Sequence, residues 1–178
     1  MSSDWKCFQR AKQGDEAAWR ELVATYQPRL AALALFVTGS SMLVDDIVQE
    51  TFVRALGARV SHQSGTVHSF LGTIAYRLAV KESQRTQRNV ALTDDQAGAE
   101  RPDPLERMLR AERDRQVAEV IRELSAEQRQ VLVLRLYGEH SYEEIAQTLQ
   151  VPLGTVKSRM FNAVKSCREA LRRRGVLE

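Results

Sequence analysis

Seven cations, Lys157, Arg159, Lys165, Arg168, Arg172, Arg173 and Arg174, fall between Leu153 and Arg174, with one acid, Glu169, among them. Cations at that density suit phosphate oxygens, and Ser158 and Asn162 between them add short polar groups that reach base edges. The elements that would position these groups are legible just upstream. Ser141-Tyr-Glu-Glu144 has the spacing of a capping box: the Ser141 hydroxyl accepts an early backbone N–H and Glu144 reaches back to the cap. Ile145 and Leu149 supply the buried face of that short helix, and Ala146 is small where two crossing helices must approach. Val151-Pro152 breaks the helix and starts a tight turn. The next helix is expected to bury Val156, Met160, Ala163, Val164, Cys167 and Leu171, leaving Lys157, Ser158, Arg159, Asn162 and Lys165 largely off that face. An ordinary amphipathic helix with a solvated basic side would carry the same charges. The cap, the turn and Ala146 together argue instead for a helix-turn-helix that presents its second helix to the major groove of DNA.

Other chemistry is poorly supplied. The two cysteines, Cys7 and Cys167, are far apart in sequence, and His62, His68 and His140 are scattered, so no metal site and no cofactor are expected. A reduced pair of thiols is the plain reading of the cysteines. There is no Gly-rich phosphate loop and no nucleophile motif, which excludes the common enzyme classes and a small-molecule substrate. The segment MSSDWKCFQRAKQGDEAAW has no apolar core of a signal peptide, and the run Leu30–Val37 is too short to span a bilayer. A soluble, cytoplasmic protein is expected.

The net charge of +3 says little, but its distribution says more. Residues 1–88 carry 11 bases and 8 acids, residues 89–112 carry 3 and 6, and residues 113–178 carry 12 and 9. Two mildly basic segments flank an acidic one. The chain reads as all-α: two small helical domains joined by a flexible linker, the C-terminal one a helix-turn-helix. Trp19, Leu22, Val23, Tyr26, Leu30 and Leu33 keep helical spacing, with a kink expected at Pro28. A second helix is predicted from Leu43 to Leu56, its apolar face Ile47, Val48, Phe52 and Leu56, with Asp45 and Asp46 at the positive end of its dipole. Residues 59–66 read as a loop. A helix from Val67 to Arg88 follows, with Phe70, Leu71, Ile74 and Leu78 inward. Asn89 to Pro104, with Gly98, Pro102 and Pro104, reads as linker. Leu105 opens another helical region, in which Val117, Val120, Ile121 and Leu124 form one face. After a break near Ser125, Val131, Leu132, Leu134 and Leu136 continue that face.

The stretch LSAEQRQVLVLRLYGEHSYEEIAQTLQVPLGTVKSRM resembles region 4 of bacterial sigma factors, above all the extracytoplasmic-function group. AKQGDEAAWRELVATYQPRL followed by DDIVQETFVRAL resembles regions 2.1 and 2.2 of the same group. The resemblance implies a promoter-specificity subunit with three parts. Residues 1–88 would be region 2, which binds core RNA polymerase and recognises and melts the minus-ten element. Residues 89–112 would be an acidic linker threaded through the polymerase, and residues 113–178 region 4, docking in the major groove of the minus-thirty-five element. It further implies that Asp45, Asp46, Gln49, Glu50 and Arg54 meet the clamp coiled coil of the β′ subunit of core RNA polymerase, with the β subunit as a further partner. A solvated acidic helix face is the bland alternative for that block. For the minus-ten element the implied residues are His62, Gln63, Ser64 and His68 in or near the loop, then Arg77, Lys81, Arg85 and Arg88. Phe70 and Tyr76 are placed to stack on bases or to pack in the core. For the minus-thirty-five element they are Thr155, Lys157, Ser158, Arg159, Asn162 and Lys165. An anti-sigma factor is a further partner implied by resemblance alone.

The sequence also departs from the family pattern. Arg77 stands where an Asn is usual, Lys81 where an Asp is usual and Gln84 where an Arg is usual, so the minus-ten preference is its own. Gln150 sits where a Gly often makes the turn, and a positive φ there would cost about 1 kcal/mol. Phe161-Asn162 replaces a more usual His-Arg, so the minus-thirty-five preference is expected to differ as well. The 24 linker residues could span at most about 80 Å, roughly two turns of duplex at about 34–36 Å each. A stand-alone LuxR-like helix-turn-helix regulator is the alternative reading; the DDIVQETF block and the basic helix after it are superfluous to such a protein.

Overall fold

The computed structural model describes residues 3–59, 65–90 and 112–177, and all regular structure among them is helical. Four helices make the N-terminal half: α1 (Ser3–Lys12), α2 (Glu16–Thr38), α3 (Val44–Gly57, entered through a 3₁₀ turn at Ser41–Leu43) and α4 (Val67–Val90). Among the described residues four more follow in the C-terminal half: α5 (Glu112–Glu123), α6 (Ala126–Leu136), α7 (Tyr142–Leu149) and α8 (Leu153–Arg173).

The ends of α2 follow from its sequence. The Asp15 carboxylate accepts the Ala18 N–H at 3.0 Å, and Gly39, with φ 70°, sends its N–H back to the Leu35 carbonyl. The helix continues through Pro28 to Thr38. Leu22 and Tyr26 before the proline and Leu30 and Leu33 after it are buried on one face, and α2 packs along α4. Each such leucine contributes about 1.5–3 kcal/mol on burial, enough to hold one helix across the missing hydrogen bond. The α1 helix, absent from the periodicity reading, is anchored by Trp5 and Phe8, whose rings meet edge to face. The Trp5 indole N–H also donates to the Gly65 carbonyl.

Three expected core positions are displaced outward. Leu136 is 52% exposed because it ends α6, where the chain turns away. Val164 is exposed too, one position past Ala163 and so about 100° off the buried row Val156–Met160–Ala163. Val117 lies at the margin of the face that Val120, Ile121 and Leu124 bury. The expected start of a helix at Leu105 lies outside the described residues.

The two halves touch through the turn between α6 and α7. The Tyr137 ring stacks on Phe36 of α2 with centroids 5.4 Å apart. Gly72, in the second turn of α4, lies so close to this turn that an added Cβ would sit 2.8 Å from the His140 ring and 3.1 Å from the Gly138 Cα. Glycine inside a helix costs roughly 0.5–1 kcal/mol against alanine, and the close approach is its reason here.

Candidate nucleic-acid and partner interfaces

The helix-turn-helix is built as its sequence demands. The Ser141 hydroxyl accepts the Glu144 N–H at 3.1 Å, and the Glu144 carboxylate accepts the Ser141 N–H at 2.7 Å, closing the capping box of α7. Gln150 ends α7 at φ 55°, ψ 44°, the left-handed conformation that favours glycine. Pro152 then precedes the first turn of α8. Ile145, Val156, Met160 and Ala163 are buried between α7, α8 and α6, which turns the opposite side of α8 to solvent. Lys157, Ser158, Asn162 and Lys165 are all exposed on that side, while Thr155 and Arg159 are half-buried.

At the centre of that outward side stands Phe161, 70% exposed. With Val164, Lys165, Arg168, Glu169 and Arg172 it lines a shallow groove of about 420 Å³. An apolar ring at this position among cations was legible as an off-pattern residue on the polar face. Burial pushes the Tyr76 hydroxyl of α4 up to about 12, and the Arg159 guanidinium is near enough to pull it back down.

On α4, Arg77, Lys81, Arg85 and Arg88 are exposed along the helix, with Arg85 3.8 Å from Glu82. Tyr76 is buried and Phe70 half-buried; Phe70 packs on Trp5 and Phe8, so both aromatic residues belong to the core of this structure. His68 is 5% exposed, covered by Tyr137 and Glu139. His62, Gln63 and Ser64 lie outside the described residues.

On α3, Asp45, Asp46 and Gln49 are exposed and Glu50 is half-buried, joined to Arg54 at 2.6 Å. The ridge they form is flanked by two clefts. One, of about 440 Å³, lies toward Leu78, Glu82 and Arg85 of α4. The other, of about 480 Å³, is lined by Trp19, Val23 and Gln27 of α2 with Val48, Phe52 and Leu56. Val53, 65% exposed, borders both clefts. Sequence reasoning passed over it, although a valine three and four places after Glu50 and Gln49 on a polar face was the available signal. Among the described residues no group of three or more His, Cys, Asp or Glu could hold a metal ion, and no helix is long and apolar enough to cross a membrane. Both cysteines are free and half-buried, their thiols pushed up by burial, away from the reactive thiolate.

Comparison with known proteins decides the family. Residues 22–89 match the model for Sigma-70 region 2 and residues 114–167 the model for Sigma-70 region 4. The chain is 30% identical over 186 residues to the RNA polymerase sigma-H factor of Pseudomonas aeruginosa, covering 96% of this chain and 95% of the relative. It is 33% identical over 171 residues to the ECF RNA polymerase sigma factor SigL of Mycobacterium tuberculosis, covering 93% and 96%. The chain belongs to the ECF sigma factors. As a sigma factor it is a promoter-specificity subunit of RNA polymerase and not an enzyme. Its fold is likewise similar to that of a solved sigma factor, RpoE of Bartonella quintana in complex with the anti-sigma factor NepR, at a TM-score of 0.67 and 23% identity over 86% of this chain and 96% of that one. The two helical units of this sigma factor, α1–α4 and α5–α8, coincide with the two family regions.

Proposed function

We propose a division of labour between these units. Residues 1–88 bind core polymerase through the α3 ridge of Asp45, Asp46, Gln49, Glu50 and Arg54, with Val53 as its apolar centre. A charged rim beside an apolar cleft is what a steered and specific interface needs. The same unit holds the minus-ten strand with the loop residues His62, Gln63 and Ser64, with His68, and with the row Arg77, Lys81, Arg85 and Arg88. Cations along a strand are the general requirement for binding single-stranded DNA. Residues 113–178 dock α8 in the minus-thirty-five major groove through Thr155, Lys157, Ser158, Arg159, Asn162 and Lys165, and residues 89–112 join the two. An anti-sigma factor controls the protein in the cytoplasm; the supporting observation is the NepR complex of the similar fold.

The single observation that carries this reading is the outward, acid-poor face of α8 behind a complete helix-turn-helix cap. The test mixes the purified chain with sigma-free core polymerase and a genomic fragment library and sequences the run-off transcripts. A discrete set of start sites sharing two upstream elements is expected. A chain that binds DNA tightly alone yet never joins the polymerase would sink the reading.

A further inference from the structure

Two backbone carbonyls border the connection between α3 and α4, and α1 supplies a donor to each. The ammonium of Lys12, the last residue of α1, donates to the Ala58 carbonyl at 2.6 Å. Ala58 is the residue that ends α3, and a cation suits the negative end of a helix. The Trp5 indole N–H donates to the Gly65 carbonyl at 3.1 Å, and Gly65 stands immediately before the cap of α4. In that cap the Thr66 hydroxyl accepts the Ser69 N–H at 3.0 Å and the Ser69 hydroxyl accepts the Thr66 N–H at 3.2 Å. Gly65 adopts φ 78°, and an added Cβ would lie 2.6 Å from the Ser69 hydroxyl and closer still to the Glu144 carboxylate, so glycine alone fits there. The helix that supplies both donors is itself firmly seated. Trp5, Phe8 and Ala11 are buried along one face, and the Trp5 and Phe8 rings each pack on Phe70, in the first turn of α4, with centroids 5.8 Å apart. This helix precedes residues 22–89, which match Sigma-70 region 2.

We propose that α1 is a staple across the connection between α3 and α4, and that Trp5 and Lys12 are positioning residues for the capture of minus-ten bases. The inference rests on the functional reading above, which assigns His62, Gln63 and Ser64 of this connection to the minus-ten strand. Six residues, 59–64, join the two stapled carbonyls. A loop that orders around an extruded base loses conformational entropy in doing so. Tying both of its ends to one seated helix removes part of that loss beforehand, so the base is held more tightly and in a better defined place. Burial alone does not account for the pair of donors. A buried indole N–H needs a partner, which explains Trp5 singly. Lys12 is exposed and has no such need, yet it takes the carbonyl at the opposite end of the same connection. The two donors are seven residues apart, two turns of helix, and so leave α1 on one side.

The test uses the full chain assembled with core polymerase. The probe is a labelled single-stranded oligonucleotide carrying the minus-ten sequence recovered from the run-off transcripts, together with its single-base changes. Trp5→Phe keeps the ring packing and removes the N–H, Lys12→Met keeps the aliphatic stem and removes the ammonium, and Lys12→Arg keeps a donor. Trp5→Phe and Lys12→Met are each expected to weaken binding of the recovered sequence about three- to tenfold, the worth of one hydrogen bond. Both should also lose part of the discrimination against single-base changes, with polymerase affinity unaltered, and Lys12→Arg should keep the parent's values. Because Lys12 lies on the surface, Lys12→Met decides the matter even where Trp5→Phe disturbs the core. A parallel loss of polymerase affinity, the mark of a loosened fold, would overturn the staple. The salt slope of Lys12→Met is expected to equal the parent's; a slope lowered by about 0.7 would make Lys12 a direct phosphate contact and remove it from the staple. A parent that discriminates among bases, with Trp5→Phe and Lys12→Met indistinguishable from it, overturns the staple alone. A parent holoenzyme indifferent to every base change overturns the minus-ten assignment and the staple with it.

Discussion

Glu144 serves two partners at once: it closes the capping box on Ser141 within α7 and accepts the Ser69 hydroxyl of α4 at 2.8 Å. One carboxylate therefore ends a helix of region 4 and docks that helix on region 2. Burial raises its pKa, but the hydrogen bonds from Ser141 and Ser69 outweigh it and hold the carboxyl below its ordinary value. The associated stability is fully present above about pH 4.5 and is lost as pH falls through the lower folded value. Glu144→Ala should cost about 1–2 kcal/mol in urea denaturation at pH 7, and that loss should shrink on acidification.

His68 and His140 are both held below the ordinary imidazole value, first by burial. For His68 the Glu139 carboxylate and Tyr137 carbonyl oppose burial and Arg29 adds to it. For His140 the Glu144 carboxylate and the Leu134 and Gly138 carbonyls oppose it and His68 adds to it. Because the unfolded rings bind protons more readily, the fold keeps its full stability above about pH 6.5 and loses it as pH falls toward the folded values. Urea midpoints at pH 7.5 and 5.5 should differ in that order, and NMR titration should place both rings below 6.5. A midpoint that rises on acidification would contradict the assignment.

Val53→Glu places a charge at the apolar centre of the α3 ridge without touching the core, since Val53 is 65% exposed. The expected result is an unchanged melting temperature with polymerase affinity reduced tenfold or more, about 1.4 kcal/mol. Fluorescence anisotropy against core polymerase measures it.

Phe161 on the outward face of α8 is suited to a thymine methyl group. Replacing thymine by deoxyuridine in the selected minus-thirty-five sequence should weaken the parent by about 0.8 kcal/mol per methyl lost, roughly fourfold. Phe161→Ala should be indifferent to that replacement. Lys157→Ala and Lys165→Ala should instead weaken all sequences alike and lower the salt slope by about 1 each.

Gln150→Gly relieves the left-handed φ at the end of α7 and should stabilise the chain by roughly 0.5–1 kcal/mol. An unchanged urea midpoint would mean that the Gln side chain compensates.

Local signals were enough for much of this protein. The capping box Ser141–Glu144, the buried row Val156–Met160–Ala163 and the faces of α2 and α3 follow from spacing, because helical periodicity and capping are set by residues three or four apart. Leu136 and Val164 escaped because periodicity fixes a stripe but not its edges, which depend on where the neighbouring helix ends.

What only the tertiary structure decided lies between the units. The pairing of Arg29 with Glu139, of Ser69 with Glu144 and of Thr73 with His140 joins residues 67 to 110 positions apart. No local pattern specifies such partners. Gly72 looks like a helix defect in the sequence and becomes a fitted contact once Gly138 is beside it. The chain's own residues determined two helical units and the exposed basic face of α8; their packing determined that the turn between α6 and α7 covers His68 of α4.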